Sequence, residues 1–546
     1  MSTYKTRTGY TTLVAVVAAG ALLLPARPHA APTDPPKLVV LIVVDQMRAD
    51  YVDHFRGNWA GGLKRLLSEG AWFQRAAYPY LSTFTCAGHA TISTGAFPHT
   101  HGVFQNTWWD RDARAQTSCT ADPHASSMGY GATVTGGDSG YRLQVPTFAD
   151  EMRARRHARV VTLSLKERGA IMLAGHGGDA VTWLSSTLDG WQTSSAFSKG
   201  PVPAVKAFAE ANPTAADYGK TWNRKLPPAR YTGADDGLAE APPTGWTRTF
   251  PHALTGTAGK ADETFFAQWE RSPFADAYLG RFAAALVESM QLGAHEGTDV
   301  LGVSFSSPDL VGHAFGPRSH EVQDMYAQLD DTLGTLFNRL DALVGKDRWI
   351  VGLSADHGVT PIPEQLTADG ADAGRISGAA IADAVEQVVR PVLGDGKHVT
   401  VVSSNDLYFE PGVYDTIRKS PTLIDAVIAA VTARPGIQRV FRSERLRGAA
   451  TSSDPLLRAA ALSYVPGRSG DLILAAKPGW MFSASGTTHG SATDDDQRVP
   501  ILFMGHGIKP GTYLQPATPA DIAPTLAVMS GISLSKAEGH PLPCVK

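Results

Sequence analysis

The sequence predicts an α/β fold with a mostly parallel central sheet and inserted subdomains, and three observations carry that prediction. Short, predominantly apolar runs recur along the chain and stop at a polar or acidic residue, as strands buried on both faces do. Stretches of helical periodicity lie between them. Of 546 residues, 43% are hydrophobic and only 18% charged, which supplies a large core and excludes a disordered or fibrous chain. A prior of roughly 150 residues per domain allows three or four units, and one large domain with insertions satisfies it equally.

The first run spans Leu38 to Val44 and ends at Asp45. Val160 to Leu163 precedes Lys166, Val300 to Phe305 precedes Asp309, Trp349 to Leu353 precedes Asp356-His357, and Val499 to Met504 completes the set of expected parallel strands. Apolar residues from Val322 through Tyr326, Leu329, Leu333, Phe337 and Leu340 to Leu343 predict one long helix closed by Gly345. It feeds the strand at Trp349 as a βαβ crossover does. Residues 191–262, rich in Pro, Gly, Thr and Trp, predict an irregular insertion or cap over the sheet edge. Residues 363–480 predict a small α+β insertion. Its helices lie near Ala379 to Val389 and Asp425 to Thr432, and its strands at Val399 to Val402, Leu407 to Phe409, Val440 and Leu472 to Leu474.

Lys plus Arg total 49 against 52 Asp plus Glu, so there is no basic field for nucleic acid. Lys5 and Arg7 precede an uncharged apolar run from Leu13 to Leu24, then Pro25, Pro28, Ala30 and Ala31. That run is too short to span a bilayer and has the composition of a secretory signal peptide, read as residues 1–31. Its removal takes Lys5, Arg7 and Arg27 but no acid, moving the net charge from -3 to -6 and leaving no stable membrane anchor. Export to the periplasm or outside the cell permits disulfides, but Cys86, Cys119 and Cys544 allow one pair at most, and the sequence does not choose it.

Ligands of open α/β sheets bind beyond the carboxyl ends of strands, where this chain puts Asp45, Asp309 with His313, and Asp356-His357. His489 sits in Gly-Thr-Thr-His-Gly. Each alone is commonplace, an Asp after a strand being usually a turn or helix cap. Together, three Asp and three His suit two zinc ions with three protein ligands each and open positions for substrate. Thr85 opens a short helix pattern ending at Gly95, where a hydroxyl feels the positive end of the helix dipole; it is the candidate nucleophile, though by itself it reads as an N-cap.

In order, Asp45, Thr85 in Thr-Cys-Ala-Gly-His-Ala, Asn106 in Gln-Asn-Thr-Trp-Trp-Asp, Lys166-Glu-Arg168, Asp309-x-x-x-His313, Asp356-His357 and His489 resemble the alkaline phosphatase superfamily. The likeness is to bacterial periplasmic alkaline phosphatases with a threonine nucleophile, relatives of the nucleotide pyrophosphatase/phosphodiesterases. It spans about residues 38 to 530. It implies an alkaline-phosphatase-like three-layer sandwich, with residues 32–546 forming one catalytic domain around its insertions. It implies that one zinc is held by Asp309, His313 and His489 and the other by Asp45, Asp356, His357 and Thr85. It also implies a phosphothreonine intermediate and small phosphate monoesters as substrates, while oligomeric state stays open. Asn106 matches the family residue that donates to a phosphoryl oxygen. Lys166 and Arg168 match the pair that marks the monoesterase branch, because a monoester dianion has one more anionic oxygen than a diester. Taken alone, Lys-x-Arg is a solvated basic face.

The rival readings are a nucleotide phosphodiesterase, a sulfatase, a cofactor-independent phosphoglycerate mutase and a metal-stiffened binding protein without turnover. Cys86 lacks the Pro and Arg of the sulfatase signal and is expected to be a buried helix residue. His89, His99 and His101 are read as structural, Asp494 to Asp496 as a solvated loop, and Trp108 and Trp109 as pocket walls or packing.

Overall fold

The computed structural model describes residues 1–3, 34–132, 134–185 and 187–546. The run from Leu13 to Leu24, and with it residues 4–31 of the expected signal peptide, lies outside the described residues. Among the described residues no helix is long and apolar enough to cross a membrane.

Ten strands form the central sheet: β1 (Leu38–Val44), β2 (Ala71–Phe73), β3 (Ser127–Tyr130), β4 (Val160–Ser164), β5 (Ala180–Leu184), β6 (Trp191–Ser194), β7 (Asp299–Phe305), β8 (Trp349–Ser354), β9 (Ile501–Gly505) and β10 (Gly511–Tyr513). Their spatial order is β10-β2-β9-β8-β1-β7-β4-β5-β6-β3. The five central strands, β8-β1-β7-β4-β5, are all parallel. Every residue of β1 is buried. Val40, Ile42 and Val44 join one apolar core, while Val39, Leu41 and Val43 join another on the opposite face. Helices therefore cover both faces, which is why the run is apolar without alternation.

Four helices carry or frame the polar groups that follow these strands: α1 (Thr85–Thr94), α2 (Glu167–Ala174), α3 (Ser307–Phe315) and α4 (His320–Leu343). The periodic residues of α4, Leu329, Leu333, Phe337 and Leu340 among them, pack into the same core as Val40 and Ile42.

Two expectations need correction. The run from Val499 to Met504 forms β9, which lies antiparallel to β8 rather than parallel. A strand buried on both faces reads the same in either direction, and only the path of the chain between strands sets its sense. Trp191–Ser194, at the start of the stretch read as insertion, is a strand of the central sheet paired to β5. The remainder of that stretch is held down by aromatic packing of Trp222 with Trp246 and Phe250. It is also pinned by Asp324 of α4, which accepts from Trp222 Nε1 (2.6 Å) and Tyr231 Oη (2.5 Å). Within residues 363–480, four strands from Val399–Ser403 to Leu472–Ala476 form an antiparallel sheet. It shares its own apolar core with Ile381, Val385, Val427 and Val431 of two helices.

Candidate active site

The carboxyl ends of the central strands converge on one polar cluster. Asp45 follows β1, and its N–H donates to the last carbonyl of β7, Phe305 O (3.0 Å). Lys166 follows β4 at the start of α2, Asp309 and His313 stand one turn apart on α3, and Asp356-His357 follow β8. His489 arrives on the loop ahead of β9. All are buried except His313, which is half-buried. Thr85 is the first residue of α1 and is buried. The helix can lie here because of Gly88: a Cβ on that residue would stand 2.1 Å from Asp356 O.

Thr85 Oγ1 lies 3.3 Å from His357 Nε2, and that nitrogen is 3.5 Å from both Asp45 Oδ1 and Asp356 Oδ2. The ligand atoms of Asp45, Asp356 and His357 fall within 4.8 Å of one another, and so do those of Asp309, His357 and His489. His313 is not in the second compact group, where His357 takes its place. Its Nε2 is nevertheless 3.2 Å from Asp309 Oδ1, with His489 Nε2 at 3.8 Å from the same oxygen.

The donor set fits metal ions. In each of three histidines Nδ1 faces a backbone carbonyl, which can only accept: His313 to Thr487 O (2.7 Å), His357 to Gly358 O (2.9 Å) and His489 to Thr83 O (2.7 Å). The proton is thereby fixed on Nδ1, and the Nε2 lone pair of the neutral ring is presented to the carboxylates, as ligand histidines require. Asp45 Oδ1 and Asp356 Oδ2 are buried without a hydrogen-bond donor among the described residues. Unpaired buried anionic oxygens are costly, and a bound cation removes that cost.

Burial and charge compete at every member of the cluster. Burial and then the neighbouring carboxylates of Asp309 and Asp356 push the Asp45 carboxyl well above its usual range. Burial opposes ionisation of Asp309 too, yet His313, Lys166 and His489 outweigh it and hold that carboxyl well below its usual range. His357 and His89 do the same for Asp356. Burial lowers His489 strongly and His357 less, whereas Asp309 overcomes burial to raise His313. The Lys166 ammonium bridges Asp45 Oδ2 (2.6 Å) and Asp309 Oδ2, and these two acids keep it protonated despite its burial. Arg168 pairs with Glu167 (3.0 Å), while its Nε has no partner among the described residues. Asn106 is half-buried, and its Oδ1 accepts from the N–H of Cys86, next to Thr85 (2.8 Å).

A family model described as type I phosphodiesterase / nucleotide pyrophosphatase matches residues 39–498, which include every side chain of this cluster. The chain belongs to that family. Similar relatives include alkaline phosphatase PafA of Elizabethkingia meningoseptica, 31% identical over 93% of this chain and 94% of that one. Alkaline phosphatase PhoK of Sphingomonas is 33% identical over 92% and 89%. The crystal structure of wild-type PafA superposes with a TM-score of 0.86 at 30% identity, covering 94% of this chain and 99% of that one.

Within this family member, sequence reasoning missed Gln46. It has a left-handed backbone (φ 68°). Its N–H donates to Asp356 Oδ1 (3.1 Å), and its Nε2 to Asp309 Oδ1 (2.5 Å). Only its position after Asp45 signalled it. His89 is fully buried, with Nδ1 on Thr85 O (2.9 Å) and Nε2 on Ser304 Oγ (2.8 Å), a hydrogen-bonding role. His99 pairs with Glu538, and His101 meets Thr91 Oγ1. Trp108 packs in the core with Cys86, and Trp109 lines a separate cavity of about 570 Å³. Asp494 to Asp496 do not form a solvated loop. They start a helical turn in which Asp496 is buried and accepts from Ser491 and Thr360, while Asp495 pairs with Arg48. A cavity of about 670 Å³ reaches His313 between Thr244 and Arg271 on one side and Phe482 and Thr488 on the other.

Proposed function

We propose that the chain is a zinc-dependent alkaline phosphatase, hydrolysing phosphate monoesters to an alcohol and inorganic phosphate with Thr85 as nucleophile. One observation carries this reading: a hydroxyl on a helix N-terminus, 3.3 Å from His357, beside two overlapping carboxylate–histidine groups. Two zinc ions, one on Asp45, Asp356, His357 and Thr85 and one on Asp309, His313 and His489, would supply Lewis-acid charge to the attacking and departing oxygens.

The chain's own groups do the rest. Thr85 Oγ loses its proton to water and forms a bond to phosphorus as the ester P–O bond breaks in line with it, the departing oxygen taking up a proton from water to leave as the alcohol. The transition state is loose, so positioning and charge supply most of the rate. Asn106 donates its amide to a nonbridging oxygen. Lys166 and Arg168 add an ammonium and a planar guanidinium, which favour the dianion of a monoester. Water then attacks the phosphothreonine, releasing phosphate and restoring Thr85. The Cys86–Cys119 disulfide supports a periplasmic or secreted location, since such bonds persist in oxidising compartments.

The test is hydrolysis of p-nitrophenyl phosphate against bis-p-nitrophenyl phosphate with zinc present. Two charge-assisted hydrogen bonds correspond to a monoester preference of about 100-fold or more. A preference for the diester overturns the reading in favour of a phosphodiesterase.

A further inference from the structure

The Cys86–Cys119 disulfide takes no part in the chemistry above, yet it stands directly against it. Cys86 follows Thr85 in α1, and Cys119 follows the strand Ala115–Ser118, which pairs with Thr107–Asp110 as a hairpin whose first strand begins right after Asn106. Both cysteines are fully buried. Their backbone N–H groups donate to one and the same residue: Cys86 N–H to Asn106 Oδ1 (2.8 Å) and Cys119 N–H to Asn106 O (2.9 Å). Asn106 is thus gripped at its side-chain oxygen and at its backbone oxygen by the two residues that the S–S bond joins. With Oδ1 committed to Cys86, Nδ2 faces away from that contact and has no protein acceptor among the described residues. On the other side Gln105 is anchored through Nε2 to Asp406 Oδ2 (2.6 Å).

We propose that Cys86 and Cys119 are positioning residues for phosphoryl transfer: their disulfide holds the Asn106 amide at Thr85, and the chain reaches full activity only after that bond forms. This rests on Asn106 donating to the phosphoryl group, as read above. Forming the bond removes two electrons and two protons from the two thiols, accepted by an oxidised dithiol through thiol–disulfide exchange. The reduced chain keeps its metal ligands and Thr85 but lets the hairpin base, and Asn106 with it, drift from α1.

The test is a double-mutant cycle of Cys119→Ala and Asn106→Ala, with kcat for p-nitrophenyl phosphate and zinc content measured well below the melting temperature. Cys119→Ala is expected to lower kcat about 10- to 100-fold, the range of one hydrogen bond to a charged oxygen. In the Asn106→Ala background the same change is expected to alter kcat by less than about twofold. An unchanged kcat in Cys119→Ala, or an equal loss in both backgrounds, overturns the proposal while leaving the phosphatase reading intact. An Asn106→Ala variant with wild-type kcat removes Asn106 from the mechanism and the proposal with it. Should Cys119→Ala not fold, reduction by a water-soluble phosphine, oxidised to its oxide, makes the same comparison on wild type and Asn106→Ala. Activity should fall with the appearance of the new thiols in the wild type alone, and a parallel fall in both proteins overturns the proposal.

Discussion

Gly88→Ala opposes two effects of known sign. In a helix interior the change ordinarily stabilises by about 1 kcal/mol, because alanine has less backbone freedom to lose. Here the new Cβ would lie 2.1 Å from Asp356 O and 2.6 Å from its C and Cα, all main-chain atoms. Ordinary contact begins near 3.4 Å, so α1 or the turn after β8 must move by about 1.3 Å. Overpacking of this kind costs about 1–3 kcal/mol, leaving a net loss of roughly 0–2 kcal/mol. The larger effect is on rate, since the displaced elements carry Thr85 on one side and Asp356-His357 on the other. A shift of about 1 Å at a reacting pair corresponds to roughly 100-fold in kcat. The assay is p-nitrophenyl phosphate turnover at saturating zinc, with a urea midpoint recorded on the same preparation. A variant more stable than wild type with kcat unchanged would refute the claim that contact between α1 and the β8 turn sets the site's geometry.

Other outcomes are expected. Thr85→Ala should abolish turnover while bound zinc, measured by atomic emission, is unchanged; normal turnover removes Thr85 as nucleophile. Lys166→Ala combined with Arg168→Ala should depress monoesterase activity far more than diesterase activity, and equal losses would make the pair structural. Chelation should inactivate the protein and lower its melting temperature, because Asp45, Asp309 and Asp356 are then left facing one another while Lys166 pairs with Asp45 and Asp309 alone. Burial raises Glu321 to about 8, and burial together with Glu321 does the same for Glu240. Both folded values exceed the ordinary 4.5, so the folded state binds more protons between those limits. Their contribution is fully present below pH 4.5 and is lost as pH rises through about 8. Glu321→Gln should flatten the decline of the urea midpoint over that window, and an unaltered slope contradicts this account.

The centre of the sheet was legible because β1, β4, β7 and β8 are buried along their whole length and predominantly apolar, β1 without any polar residue. The sense of β9 was not, since its apolar residues are indifferent to direction. β6, with the sequence Trp-Gln-Thr-Ser, is buried yet mostly polar, so no apolar run announced it. The ordered Asp and His residues marked where ligands would lie, but the sharing of His357 between two compact groups is a matter of distances that spacing along the chain does not encode. Gln46 was invisible for a related reason: its amide acts on Asp309, 263 residues away. With three cysteines present, pairing depended on which two the hairpin and α1 brought within reach.

The route of the chain through the site has a consequence for its biosynthesis. Asp45 lies near the beginning and His489 near the end, and the subdomain strands from Val399–Ser403 to Leu472–Ala476 intervene between His357 and His489. A ribosome adding about 5–20 residues per second needs roughly 20–90 s to pass from Asp45 to His489. For that interval the nascent chain carries Thr85 and most of the proposed metal ligands but lacks His489. Catalytic competence is therefore a property of the nearly finished polypeptide, and a truncated product ending within the subdomain would fold part of a sheet without acquiring the power to strip phosphate from its surroundings.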